Sequence, residues 1–181
     1  MNKFNKIYKM INSSNKNIII WANGTNGEGS SNVVFSLVNA AFKNNNISRN
    51  TYIIISKDTV IHNLITKNSM NTTNVIVLPA IFRSYLLHSI IKLFFPIQFF
   101  GKRLLTLDDY PFRFYKKQIL YFHQAGILYG ASLNWHIRRL FIRILISNNL
   151  FIFTQTDHIK DKLINIFKIE RDNILTNLHD V

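Results

Sequence analysis

The chain has 181 residues, with 22 Lys and Arg against 9 Asp and Glu, no Cys, and 48% hydrophobic side chains. This length suits one domain that buries roughly 70% of its unfolded surface, and the lack of Cys excludes a disulfide scaffold, a thiolate metal cluster and a cysteine nucleophile. A net charge of +13 points to an anionic partner, although a composition crowded with Asn, Ile and Lys would also give a basic surface with no special role.

Residues 1–17 are polar and carry Lys3, Lys6, Lys9 and Lys16. The apolar run that follows, 18–22, is shorter than the roughly 7–15 residues of a secretory signal. A basic leader and then a strand are expected. Residues 23–31, NGTNGEGSS, form a glycine-rich turn, after which Ser30 or Ser31 can cap a helix carrying Val34, Leu37, Val38 and Ala41. Short apolar runs at 52–55 and 75–78 read as strands.

The apolar stretch 85–100 is interrupted by His88, Lys92, Pro96 and Gln98. A spanning helix needs about 20 mostly apolar residues, so none is expected here. Ser84, His88 and Lys92 instead form a narrow polar stripe on one helix face, which suits partial burial or a membrane interface.

Strands are next expected at 104–107 and 119–122, followed by Asp108 and Asp109 in the first case and by His123 and Gln124 in the second. Residues 135–146 read as a helix with His136, Arg139 and Arg143 on one face and Arg138 beside them. A strand at 150–153 leads to a helix opened by Thr156 and Asp157, with Ile159, Leu163 and Phe167 on its inner face. From 59 to 107 there is no acidic residue, and between 83 and 143 ten Lys and Arg meet only Asp108 and Asp109.

Strands alternating with helices imply a Rossmann-like, doubly wound parallel α/β sheet, here one domain over 18–181. Ligands of such sheets bind beyond the carboxyl ends of the strands, where the glycine turn, the Asp pair and His123 would converge. Gly24, Gly27 and Gly29 could admit a phosphate or a sugar hydroxyl, or simply make a tight turn. Their spacing matches neither a dinucleotide fingerprint nor a Walker A loop. Adjacent carboxylates on an extended chain point to opposite sides, so Asp108 and Asp109 cannot both address one atom. His123 is the best single candidate for chemistry, because it would lie at a strand end and an imidazole can both give and take a proton, although a lone histidine is more often structural. No metal-ligand spacing and no nucleophile elbow is present, no cofactor is expected, and no nucleic-acid module is seen.

The strand NIIIWANG with Gly27, Glu28 and Gly29, the segments LLTLDDYPF and YFHQAG, and the late block FIFTQTDHIKDKLINIFKIERDNILTNLHDV resemble the N-terminal half of a GT-B-fold glycosyltransferase. The order of features is similar to glycosyltransferase family 4 of bacterial surface-polysaccharide synthesis. That resemblance implies sugar transfer from a nucleotide sugar to a lipid-linked or polysaccharide acceptor, with retention of configuration. It implies His123 against the transferred sugar, Gly27, Glu28 and Gly29 near the donor diphosphate and acceptor, and Asp108, Asp109 and Gln124 on the substrate side. Lys92, Arg138, Arg139 and Arg143 would then meet the anionic inner leaflet of the cell membrane, giving a cytoplasmic, peripheral location.

The family's E-x7-E motif is absent, since Glu28 and Glu170 are the only Glu residues. On this reading the chain is the acceptor half, completed by a donor-binding domain or partner subunit. The competing expectation is a non-catalytic membrane-surface or scaffold subunit.

Overall fold

The computed structural model describes residues 18–23, 28–43, 51–67, 75–94, 103–115, 118–147 and 150–176. The leader 1–17 and the turn residues Gly24 and Gly27 lie outside them. Seven strands, β1 (Ile18–Trp21), β2 (Thr51–Ser56), β3 (Val75–Leu78), β4 (Arg103–Thr106), β5 (Gln118–Phe122), β6 (Phe151–Thr154) and β7 (Ile174–Thr176), form one sheet in the order 3-2-1-4-5-6-7. Every pairing is parallel, with Ile20 opposite Ile53 on one side and Leu105 on the other.

The helices are α1 (Glu28–Phe42), α2 (Val60–Lys67), α3 (Tyr85–Phe94), α4 (Ala125–Tyr129), α5 (Leu133–Leu145) and α6 (Asp157–Phe167). This is a Rossmann-like α/β fold. The apolar runs of the inner strands follow from burial on both faces, whereas at the β3 edge Ile76 and Val77 are exposed. Ile18, Ile20, Ile53, Ile55 and Leu105 pack against Val34, Leu37 and Val38 of α1 and Ile61 and Ile65 of α2. On the opposite face Ile19, Trp21, Ile54 and Leu104 are covered by Phe112 and Tyr115 from the segment after β4. Further along that face, Leu120, Phe122, Ile152 and Ile174 pack against α4, α5 and α6. Each fully buried isoleucine in this sheet contributes on the order of 1.5–3 kcal/mol.

Two helix starts show how local chemistry set the boundaries. Thr156 caps α6 as expected, its hydroxyl accepting the Ile159 N–H at 3.3 Å. Helix α1 begins at Glu28, ahead of the expected Ser30 or Ser31 cap, so Glu28 and Gly29 form its first turn and Ser31 lies buried inside it.

Three arginines are used at the other ends of helices. Arg139 donates to the carbonyls of Ile127 and Gly130, at 3.0 and 2.9 Å, where α4 ends. Arg113 donates to Ile144 and Ile146 at the end of α5, and Arg143 to Ile166 near the end of α6 at 3.1 Å. Unpaired terminal carbonyls carry partial negative charge, and a guanidinium is the side chain best shaped to meet two of them.

Candidate functional site

The strand order reverses direction between β1 and β4, which makes the carboxyl edge there the topological switch point. Asn23 follows β1 and is wholly buried, its side-chain oxygen accepting a short hydrogen bond from Ser56 Oγ at the end of β2. The loop after β4 carries Asp108 and Asp109, and the loop after β5 carries His123 and Gln124.

Asp108 points inward, beneath the edge. Its Oδ1 accepts a short hydrogen bond from Lys92 Nζ of α3, and Lys92 also donates to the carbonyl of Tyr110. Lys92 lies 5.1 Å from the Phe112 ring centroid and 5.9 Å from that of Trp21, within cation–π range of both. One turn earlier on α3, His88 Nε2 accepts the Trp21 Nε1–H at 2.7 Å and sits 2.9 Å from Asp108 Oδ2. Indole offers only a donor, so that nitrogen holds no proton for Asp108 while it serves Trp21. A proton added to Nε2 would exchange the Trp21 bond for one to Asp108.

Burial acts on each member of this cluster, and the charges oppose or reinforce it. His88 is pulled below its ordinary value, mainly because burial disfavours the imidazolium. Burial likewise lowers Lys92 to about 8, in spite of the Asp108 carboxylate beside it. Burial alone would raise Asp108, yet Lys92 and His88 together hold it down at about 2.

Asp109 turns the other way. Its Oδ1 accepts the backbone N–H groups of His123 at 2.7 Å and Gln124 at 3.1 Å, tying the β4 loop to the β5 loop. Its backbone adopts φ of 65°, a left-handed conformation uncommon outside glycine, asparagine and aspartate. Burial raises its pKa, against the lowering effect of His123 and of the two N–H donors. The His123 ring stacks on Tyr121 at 5.7 Å, Tyr121 stacks on Phe153 at 6.0 Å, and the Tyr121 hydroxyl accepts from Gln155 at 3.0 Å.

Several expected site residues sit elsewhere than their assigned roles require. Asp108 and Asp109 were expected to line a substrate surface, but their side chains are 0% and 3% exposed and are engaged by protein groups. Lys92 was expected at the membrane surface, but it is fully buried, because only there can it neutralise Asp108. Arg139 and Arg143 are committed to helix-end carbonyls, and Arg138 stacks over Trp135 at 4.9 Å while reaching Gln124 at 3.4 Å. Gln124 is half-buried in the β5 loop, Gly27 lies outside the described residues, and the Glu28 side chain is not described. His123 remains at the rim, partly exposed, directly after β5.

The buried cluster of Trp21, His88, Lys92 and Asp108 had a signal in the sequence. His88 and Lys92 are one turn apart on a mostly apolar helix, a spacing that buries both together. The tie between Asn23 and Ser56 had none, since neither residue type nor spacing links two loops 33 residues apart. No His/Asp/Glu group suited to a metal ion occurs among the described residues. Comparisons of the chain with protein-family models, with curated proteins and with solved structures find no match.

Proposed function

We propose that this chain is the acceptor-side domain of a glycosyltransferase, acting in sugar transfer from a nucleotide sugar to a lipid-linked or polysaccharide acceptor. The donor nucleotide would be held by a further domain or a partner subunit. The observation that carries the reading is the partly exposed His123 at the carboxyl end of β5, beside the switch-point strand β4. The segments that resemble such enzymes also fall at strand ends: WAN closes β1, LDDYPF follows β4, and FHQAG leads from β5 into α4.

The test is saturation-transfer NMR on the full chain, with polyprenyl-phosphate oligosaccharides and UDP- and GDP-sugars as probes, alongside a transfer assay. Saccharide signals should appear with the wild type and vanish with His123→Ala, while nucleotide sugars alone give little turnover. No saccharide binding would overturn the reading. Efficient transfer without a partner would overturn its half-enzyme part.

A second reading, a membrane-surface or scaffold subunit, draws support from α5. Leu133, Leu140 and Ile144 are 75%, 56% and 41% exposed along one stripe of this helix, and Phe114 is also exposed. Among residues 59–156 the only acidic side chains are Asp108 and Asp109, both buried, so nothing in this stretch repels an anionic surface. No described helix is long and apolar enough to cross a membrane. Flotation with phosphatidylglycerol vesicles, but not phosphatidylcholine vesicles, should be abolished by Leu140→Glu with Ile144→Glu. Equal flotation of the double variant would remove this reading.

A further inference from the structure

We propose that β3 is a self-association edge, which pairs antiparallel with β3 of a second copy of this chain across a two-fold axis at Ile76. The pairing is independent of whatever ligand the carboxyl edge takes.

β3 closes one end of the sheet and is bonded to β2 on one side only. The Leu78 carbonyl accepts the Lys57 N–H at 2.8 Å. Successive residues of a strand direct their backbone groups to alternate sides, so Ile76 and Leu78 face β2 while the N–H and C=O of Val75 and Val77 face outward. Among the described residues those outward groups have no partner. Both faces are open here as well. Ile76 and Val77 point to opposite faces and are 42% and 44% exposed, so neither is closed over by a helix. Tyr52, which shares the Ile76 face, and Ile81, in the 3-10 turn Ala80–Arg83, are also exposed.

An edge of this kind templates the addition of a strand, and proteins ordinarily guard it with charge, proline or a very short strand. The other edge, β7, is guarded: it has three residues and follows directly on a turn that carries Arg171 and Asp172. Around β3 no charged side chain occurs from 68 to 82, and Pro79 comes after the strand, where it limits only the length that can pair.

That neutrality selects the occupant. An acidic peptide or an anionic lipid finds no cation in 68–82, whereas a second β3 is itself an uncharged apolar strand. Two copies carrying +13 each repel at long range, and a neutral strand is where they can meet with no like charges opposed. The backbone is also self-complementary. Val75 and Val77 flank Ile76 evenly, so an antiparallel second copy sets Val75 opposite the partner's Val77 and Val77 opposite the partner's Val75. Each such pair exchanges two hydrogen bonds, and the two Ile76 Cα atoms face each other about 4.5 Å apart. The contact is isologous and closes as a dimer. Both carboxyl-edge sites stay open, because β2, β1 and β4 separate β3 from β5.

Tyr52, Ile76, Val77 and Ile81 together expose roughly 350 Å² per copy, against the roughly 800 Å² per partner of a standard interface, of which just over half is apolar. This area suits a reversible, micromolar dimer.

The test is sedimentation equilibrium on the full chain across the micromolar range, with no ligand present. The wild type should dimerise, and added salt should tighten the dimer several-fold by screening the repulsion between copies. Ile76→Lys and Ile76→Glu each place like charges opposite one another on the axis and should weaken the dimer about tenfold or more. An equal mixture of the two should recover it, since opposite charges then face each other. The chain has no cysteine, so oxidation of Ile76→Cys should give a covalent dimer, the expected separation of about 4.5 Å lying within disulfide reach. Leu175→Cys on the β7 edge should not. Ile76 is exposed, so circular dichroism should show its variants folded. A wild type that stays monomeric, a dimer that survives both charged variants, or a mixture no more dimeric than its components overturns the proposal.

Discussion

Replacing Lys92 by Met removes the strongest partner of a carboxylate with no route to water. Asp108 has a side-chain exposure of 0%, and the Tyr110 carbonyl loses its donor in the same change. Breaking one partner out of a buried pair costs about 3–5 kcal/mol, which for a chain of this size lowers the melting temperature by roughly 10 °C. The sign of the pH dependence follows from Asp108. Its folded pKa of about 2 lies below its ordinary value of 3.8. In the wild type it therefore contributes stability above pH 3.8 that is lost as pH falls toward 2, an effect of about 2 kcal/mol. Without Lys92, burial pushes the same carboxyl upward and acid should relieve the variant by protonating it. Guanidinium denaturation of Lys92→Met should show a large deficit at neutral pH that shrinks on mild acidification, and Asp108→Asn added to it should recover part of the loss. A deficit that is small, or that stays constant with pH, would refute the account of a charge pair in the core.

Other outcomes follow from single contacts. A Cβ at Gly130 would lie 2.0 Å from Cδ1 of Trp135 and 2.3 Å from Cγ, so Gly130→Ala should lower the unfolding free energy measured by denaturation by about 1–3 kcal/mol. Adding Trp135→Leu should restore part of it; no loss from Gly130→Ala would mean Trp135 is not seated on α4. Thr156→Ala removes the N-cap of α6 and should cost about 1 kcal/mol by the same measurement. Arg139→Ala leaves the Ile127 and Gly130 carbonyls without their guanidinium and should cost about 1–2 kcal/mol. By contrast the Arg171–Asp161 pair is 68% and 54% exposed, so Asp161→Asn should change the unfolding free energy by less than about 0.5 kcal/mol.

The alternation of apolar runs with amphipathic stretches made the sheet legible, because strands buried on both faces are apolar over most of their length, with buried polar residues such as Thr51, Ser56, Thr106, Gln118 and Thr154 at strand ends. Ile18, Ile19, Ile20 and Trp21 are all buried, with alternate residues facing α1 on one side and Phe112 on the other. The loops were legible only as locations. That Asp108 and Asp109 diverge follows from strand geometry, but which partner each would find depended on α3 lying over the end of β1. In the sequence His88 and Lys92 form a stripe that suits two environments, and periodicity does not choose between a protein core and a lipid interface. What decided it is the carboxylate: a lysine at the bilayer surface would have left Asp108 buried without its cation.

The same reasoning changes what the positive charge can be used for. In sequence, Arg138, Arg139 and Arg143 form a basic cluster free to meet an anionic surface. In the fold, Arg139 and Arg143 hold backbone carbonyls at the ends of α4 and α6, and Arg138 lies on the Trp135 ring. A guanidinium that bridges two carbonyls keeps its positive charge, so long-range attraction to an anion survives. What it gives up is close contact, since detaching it to reach a phosphate would expose the helix end. Adhesion to a surface would then have to come from side chains with no such duty, which on α5 are Leu133, Leu140 and Ile144. Charge would set the approach and these three apolar side chains the attachment, so added salt should slow association with anionic vesicles more than it speeds release.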